Sequence, residues 1–98
     1  MKKGYWVVAY HSVSDEPTLK RYSELAAKAI EAGGGKFVIR ASGDAVVAHE
    51  AGVAQRLVVT EYESFEKAKA TYQSEAYQAA LKVLGSAAER DFRIVEGT

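Results

Sequence analysis

Ninety-eight residues give room for one domain of two packed layers, residues 1–98, and leave none for a second core. Thirteen basic and thirteen acidic residues cancel, so no net field draws the chain to nucleic acid or to a membrane surface. The absence of cysteine excludes disulfides, thiolate catalysis and Cys-ligated metals together, which fits a cytoplasmic protein.

The chain opens on Met1-Lys2-Lys3-Gly4 and an apolar run ending near Ala9. That run is too short and too aromatic for a signal peptide, and far too short to span a bilayer. Residues 5–13 (YWVVAYHSV) are rich in β-branched and aromatic side chains, the composition of a strand. Asp15 offers an N-cap carboxylate, with Glu16 and Pro17 suited to a first helical turn. Leu19, Tyr22, Ala26, Ala29 and Ile30 then share one face at the helical period. Gly33, Gly34 and Gly35 follow that helix rather than open one, so they are a stop and not a phosphate cradle. Residues 36–41 (KFVIRA) read as a second strand, and Ser42-Gly43-Asp44 as a turn into a short returning strand over 45–49.

After a polar connection over 50–55, residues 56–62 (RLVVTEY) form the next long strand. Ser64 caps a short helix whose Phe65, Ala68 and Tyr72 lie on one face. Ser74 caps a continuation to about Leu84, with Ala76, Ala80, Val83 and Leu84 in register, and Gly85 closes it. Residues 91–96 (DFRIVE) are the last strand.

This order predicts an α+β fold of the ferredoxin-like βαββαβ type, with a small extra hairpin strand and both helices on one sheet face. Trp6, Val8 and Tyr10 alternate with Tyr5, Val7 and Ala9, and Leu57 and Val59 with Val58, so the sheet is apolar on both faces. Leaving four such side chains wet would forgo roughly 6 kcal/mol, at about 1.5 kcal/mol each. A second copy of the sheet is the expected cover, which makes the chain a homodimer joined sheet to sheet.

The pieces YWVVAY (5–10), VSD followed by KRY (13–22), GGKFVIR (34–40), RLVVTEYESFEKAKATY (56–72), SEAYQAAL (74–81) and the terminal IVEG span almost the whole chain. In that combination the sequence resembles the uncharacterised family numbered 1330 among domains of unknown function, in the dimeric α+β barrel superfamily. The family tends to read Asp-Pro-Glu where this chain has Asp15-Glu16-Pro17, an aromatic where it has Thr71, and Arg where it has Leu84. The resemblance implies the dimeric barrel and a role in binding or transforming something small, and carries no established reaction. Related barrels include cofactor-independent oxygenases, isomerases and lyases, so proton transfer on a small organic substrate, without a cofactor, is the chemistry expected by analogy of fold.

Five residues are the candidates for such a site, in a pocket expected between sheet and helices. His11, near the end of the first strand, suits a general base or an orienting donor, or is a solvated strand-end histidine. Glu61 puts a carboxylate on a strand face shared with Leu57 and Val59, where it must find a cation or take up a proton. Arg40 is its expected partner, with Arg56 and Arg93 as alternatives; the pair is a site acid or a structural ion pair. Tyr22, Tyr72 and Tyr77 lie on helix faces that meet the sheet; the first two are the expected substrate-binding phenols, unless their rings only fill the core. His49 reads as exposed, and two histidines without ligand spacing predict no metal site. A non-catalytic structural or regulatory homodimer is the alternative to an enzyme or binding protein.

Overall fold

The computed structural model describes residues 2–98. Four strands and three helices follow in the order β1 (Gly4–Val13), α1 (Glu16–Ala32), β2 (Lys36–Ala41), β3 (Leu57–Tyr62), α2 (Phe65–Gln73), α3 (Glu75–Leu84) and β4 (Ala88–Glu96). The sheet order is β2-β3-β1-β4, antiparallel between every neighbouring pair. β1 and β2 are therefore parallel with β3 between them, and β3 and β4 are parallel with β1 between them. Each crossover carries its helices to the same face, and α1 packs against α3 there.

Local chemistry explains the element ends. Asp15 Oδ1 accepts from the Thr18 N–H at 3.1 Å and opens α1. Ser64 Oγ accepts from Lys67 N, and Ser74 Oγ from Tyr77 N, opening α2 and α3. Ser74, with ψ at 151°, breaks what would be one helix into two. Gly85 ends α3 at φ +52°, a conformation that is cheap only without a Cβ.

The period-2 pattern of β1 sends Trp6, Val8 and Tyr10 toward the helices, where they are buried. Register then brings Val58 and Thr60 of β3, and Arg90, Phe92 and Ile94 of β4, onto the same face. The core forms between this face and Leu19, Tyr22, Ala26, Ala29 and Ile30 of α1, with Ala68, Tyr77 and Ala80 from the other helices. Trp6 is its hub: Nε1 donates to Ala68 O at 2.8 Å, and its ring meets those of Tyr62, Tyr72, Tyr77 and Phe92.

Three expectations need correction. Residues 45–49 form no strand: the chain makes one 3₁₀ turn at Gly43–Ala45 and leaves the sheet, with Val47 76% and Val53 67% exposed. Val46 keeps extended dihedrals but finds no ladder partner, and β-branched residues make a strand only where one is offered. β4 starts at Ala88, three residues before the expected boundary, and pairs with β1 as far as Val13. In α2, Thr71 rather than Tyr72 takes the buried place, its Oγ1 donating to Lys67 O at 2.8 Å.

Among the described residues, no helix packs on the opposite sheet face. Tyr5, Val7, Ala9, Ile39, Leu57, Val59 and Val95 lie on it, bordered by Lys36, Glu61, Asp91 and Arg93. Among the described residues, no helix is long and apolar enough to cross a membrane.

Candidate functional site

Three side chains from three elements converge at the helix-covered end of the sheet. Tyr22 comes from the buried stripe of α1 and Tyr77 from that of α3, while Arg90 stands two residues before Phe92 on the inner face of β4. Arg90 Nη1 donates to Tyr22 Oη at 2.9 Å, and Tyr22 Oη lies 2.6 Å from Tyr77 Oη. The guanidinium also stands 5.0–5.6 Å from the ring centres of Tyr22, Phe92 and Tyr10. Among the described residues it has no carboxylate partner; the ion pairs lie elsewhere, on Glu61, Glu63, Glu66 and Asp91.

The electrostatics keep this trio in one protonation state. Burial pushes the Tyr22 phenol up, against the opposing pull of Arg90. Burial raises Tyr77 further, and the Tyr22 hydroxyl adds to the rise. For Arg90, burial opposes the charge, but the two phenol oxygens outweigh it and hold the cation. At neutral pH the site is one cation and two neutral phenols.

Beside the trio lies a cavity of about 110 Å³, walled by Trp6, Tyr10 and Phe92 and reached by Tyr22, Thr60 and Arg90. Among the described residues, Thr60 Oγ1, in a residue 1% exposed, has no partner in good hydrogen-bond geometry, with the Tyr62 hydroxyl as its neighbour. Tyr10, Ser23, Arg40 and Val58 line both this cavity and a wider, open groove of about 390 Å³. Lys20, Arg40 and Arg56 face Glu16 around the groove, an excess of positive charge in a protein of net zero. A cavity of about 150 Å³ holds a benzene-sized molecule. The inner cavity alone is smaller than that, and together with the groove that opens from it the space takes a benzene-sized body with a polar substituent.

The structure brings together two of the five expected site residues, Tyr22 and Arg40, at the cavity wall. Tyr72 is not among them: its ring packs at 6.1 Å from Trp6 and 5.1 Å from Phe92, in the aromatic cluster. His11 is exposed, at the irregularity of β1 between Tyr10 and Ser12, and borders no part of the cavity. Glu61 lies on the open face, and its expected pairing with Arg40 is corrected. Its Oε1 is 3.4 Å from Lys3 and 3.5 Å from Lys36, and Oε2 accepts from Tyr5 Oη at 3.2 Å. Register is the reason: Glu61 pairs with Tyr5 and Lys36, while Arg40 pairs with Val58 and points to the other face, over the Phe37 ring at 4.1 Å. Arg93 pairs with Asp91, and Arg56 sits 5.4 Å from the Tyr10 ring centre. His49 is exposed, as expected. Among the described residues no three His, Asp or Glu side chains form a metal-holding group.

Arg90 lies just outside the last strand expected from the sequence, which begins at Asp91. The signal was present: extending the alternation of Phe92 and Ile94 back by two places puts an arginine on the buried face. Thr60 was legible in the same way, opposite Trp6.

No curated protein sequence matches the chain. Among solved structures, the RPA0582 protein of unknown function from Rhodopseudomonas palustris superposes with a TM-score of 0.70 at 15% identity, over 97% of this chain and 80% of that one. A dimeric ferredoxin-like protein of unknown function from Thermobifida fusca gives 0.61 at 12% identity, over 96% and 90%. A variant of SnoaB, a cofactor-independent oxygenase from Streptomyces nogalater, gives 0.60 at 8% identity, over 97% and 92%. At such identities the likeness is one of fold, the ferredoxin-like α+β arrangement described above. The family model described as Domain of unknown function (DUF1330) matches residues 3–98, and the chain belongs to that family.

Proposed function

We propose that this protein binds a small organic anion, or a molecule that becomes one, in the cavity between α1 and the sheet. The observation that carries the reading is Arg90, a half-buried cation without a carboxylate partner at the wall of an apolar cavity. A buried charge is normally paired, and here, among the described residues, neutral phenols and aromatic rings surround it and no carboxylate does. A ligand oxygen would complete the set, and the positive groove edge around Arg40 favours the approach of an anion. Proton transfer on such a ligand, without a cofactor, is the enzymatic form of the same reading. The fold it shares with SnoaB, described as a cofactor-independent oxygenase, is compatible with it. His11 and Glu61 are given no part in it, since neither borders the cavity.

A thermal-shift panel of small organic acids and their neutral amides tests the reading. Acids should raise the melting temperature of the native protein more than amides do. They should lose that effect in Ala27→Phe, which plugs the cavity wall, and in Arg90→Met. A panel without stabilising acids, or acids that stabilise Ala27→Phe equally, would overturn it.

The open sheet face supports a second element of the proposal, a homodimer formed by two such faces. Seven apolar side chains share that face, and the Thermobifida fusca protein of the same fold is described as dimeric.

A further inference from the structure

The hydroxyl protons of the Tyr22–Tyr77 pair can be assigned by elimination. Tyr77 is 0% exposed, and among the described residues its hydroxyl makes one hydrogen bond, to Tyr22 Oη. Arg90, the charged group nearest to both phenols, can only donate. Were Tyr22 the donor of the 2.6 Å bond, the Tyr77 proton would be left in an apolar interior with nothing to accept it. That would cost on the order of 1–3 kcal/mol, a penalty the reverse orientation avoids. Tyr77 therefore donates to Tyr22, and Arg90 donates to the same oxygen. Tyr22 Oη then accepts twice, and its own proton is free. Tyr22 lines the cavity, as does Thr60.

We propose that Tyr22 O–H is the hydrogen-bond donor that recognises the ligand, and that the ligand presents to it an oxyanion on a small apolar body. This assignment rests on the cavity being the binding site, and deepens that reading by naming the atom that reads the ligand. A phenol that accepts two hydrogen bonds, one from a cation, is polarised into a stronger donor. A donor of that kind favours an anionic oxygen over a neutral one, and Arg90 supplies the compensating charge 2.9 Å behind it. The titratable groups facing Tyr22 are Tyr77 from α3, Tyr10 from β1, Tyr62 from β3 and Arg90 from β4. None is a carboxylate, so nothing in the wall repels an anion. The aromatic walls of Trp6 and Phe92 leave room for the ligand body.

The test uses 4-nitrophenol, whose ionisation is read by its absorbance, and 4-nitroanisole, its neutral methyl ether. Binding of each to the purified protein is measured by equilibrium dialysis across neutral pH, and the ionised fraction of bound nitrophenol is read directly. The expected result is preferential binding of the phenolate, with bound nitrophenol ionised at a pH where the free dye is neutral. Tyr22→Phe should weaken phenolate binding by roughly tenfold to a hundredfold and leave the ether unchanged, as loss of one charge-assisted bond implies. Tyr77→Phe, which keeps Tyr22 and Arg90, should reduce the ionisation shift without abolishing binding, and guards against a Tyr22→Phe protein that folds poorly. Equal binding of phenolate and ether, indifferent to both substitutions, would overturn the assignment while leaving the cavity as a binding site. Binding of neither probe would overturn both.

Discussion

Arg90 of β4 donates to the hydroxyl of Tyr22 of α1 at 2.9 Å, across 68 positions of sequence and across the interface between sheet and helices. This one bond ties the last strand of the fold to its first helix. It also places a cation where the core would otherwise be closed by apolar side chains.

Replacing Arg90 by Met keeps most of the apolar stem and removes the charge, the bond to Tyr22 and the contacts with three rings. Stability should change little, within about 1–2 kcal/mol either way, because a half-buried cation also carries a desolvation cost. Binding of small organic anions should fall by tenfold or more. Chemical denaturation and calorimetric titration of the same samples separate the two effects.

Gly33 and Thr71 approach so closely that a Cβ on Gly33 would overlap Thr71 Oγ1. Gly33→Ala should therefore cost about 1–3 kcal/mol by overpacking, although φ at Gly33 is −82° and imposes no penalty. The double variant with Thr71→Ala should recover part of that loss, because the blocking hydroxyl and methyl are gone. Urea denaturation of the two single variants and the double variant closes the cycle. Additive losses would show that the two residues do not meet.

Glu61 makes a pH prediction. Partial burial opposes its charge, but Lys3, Lys36 and the Tyr5 hydroxyl outweigh that and hold the carboxyl below its ordinary 4.5. A lowered folded value means that the stabilisation is complete above the unfolded value and is lost as pH falls through the folded one. Native protein should melt above Glu61→Gln at neutral pH, and the gap should close below about pH 4. A gap that persists at acid pH would assign the effect to packing rather than charge.

The open sheet face predicts association. Sedimentation at micromolar protein should show a dimer, and Val7→Asp, at the centre of that face, should give a monomer. Each valine withdrawn from water contributes on the order of 1.5 kcal/mol, and a carboxylate at the same place must be desolvated. A wild-type monomer would remove the proposed interface.

His11→Ala should leave anion binding at the cavity unchanged within about twofold, a difference worth less than a single weak hydrogen bond. His11 is exposed and does not line the cavity. Titration calorimetry against the native protein checks this, and a tenfold loss would return His11 to the site.

Much of the fold was legible from local signals. The buried stripe of α1, the caps at Asp15, Ser64 and Ser74, and the stops at Gly33 and Gly85 all act within a few residues. Such features depend on hydrogen bonds and periodicities that a chain of any tertiary structure would keep. The strand expected at 45–49 shows the limit, since Val46 and Val47 have the right composition and no neighbour to pair with.

The site was half legible for the same reason. Composition and period marked Tyr22 as a residue at the helix–sheet boundary, and Arg40 as a cation at a strand end. Which face Arg40 and Glu61 turn to was decided by register, where a shift of one residue exchanges the two sides. The meeting of Tyr22, Tyr77 and Arg90 was decided by packing between elements 55 and 68 positions apart. Local sequence determines what each segment is, because its forces act over a few residues. Only the closed tertiary structure decides which side chains share a cavity, because those distances are set by every element at once.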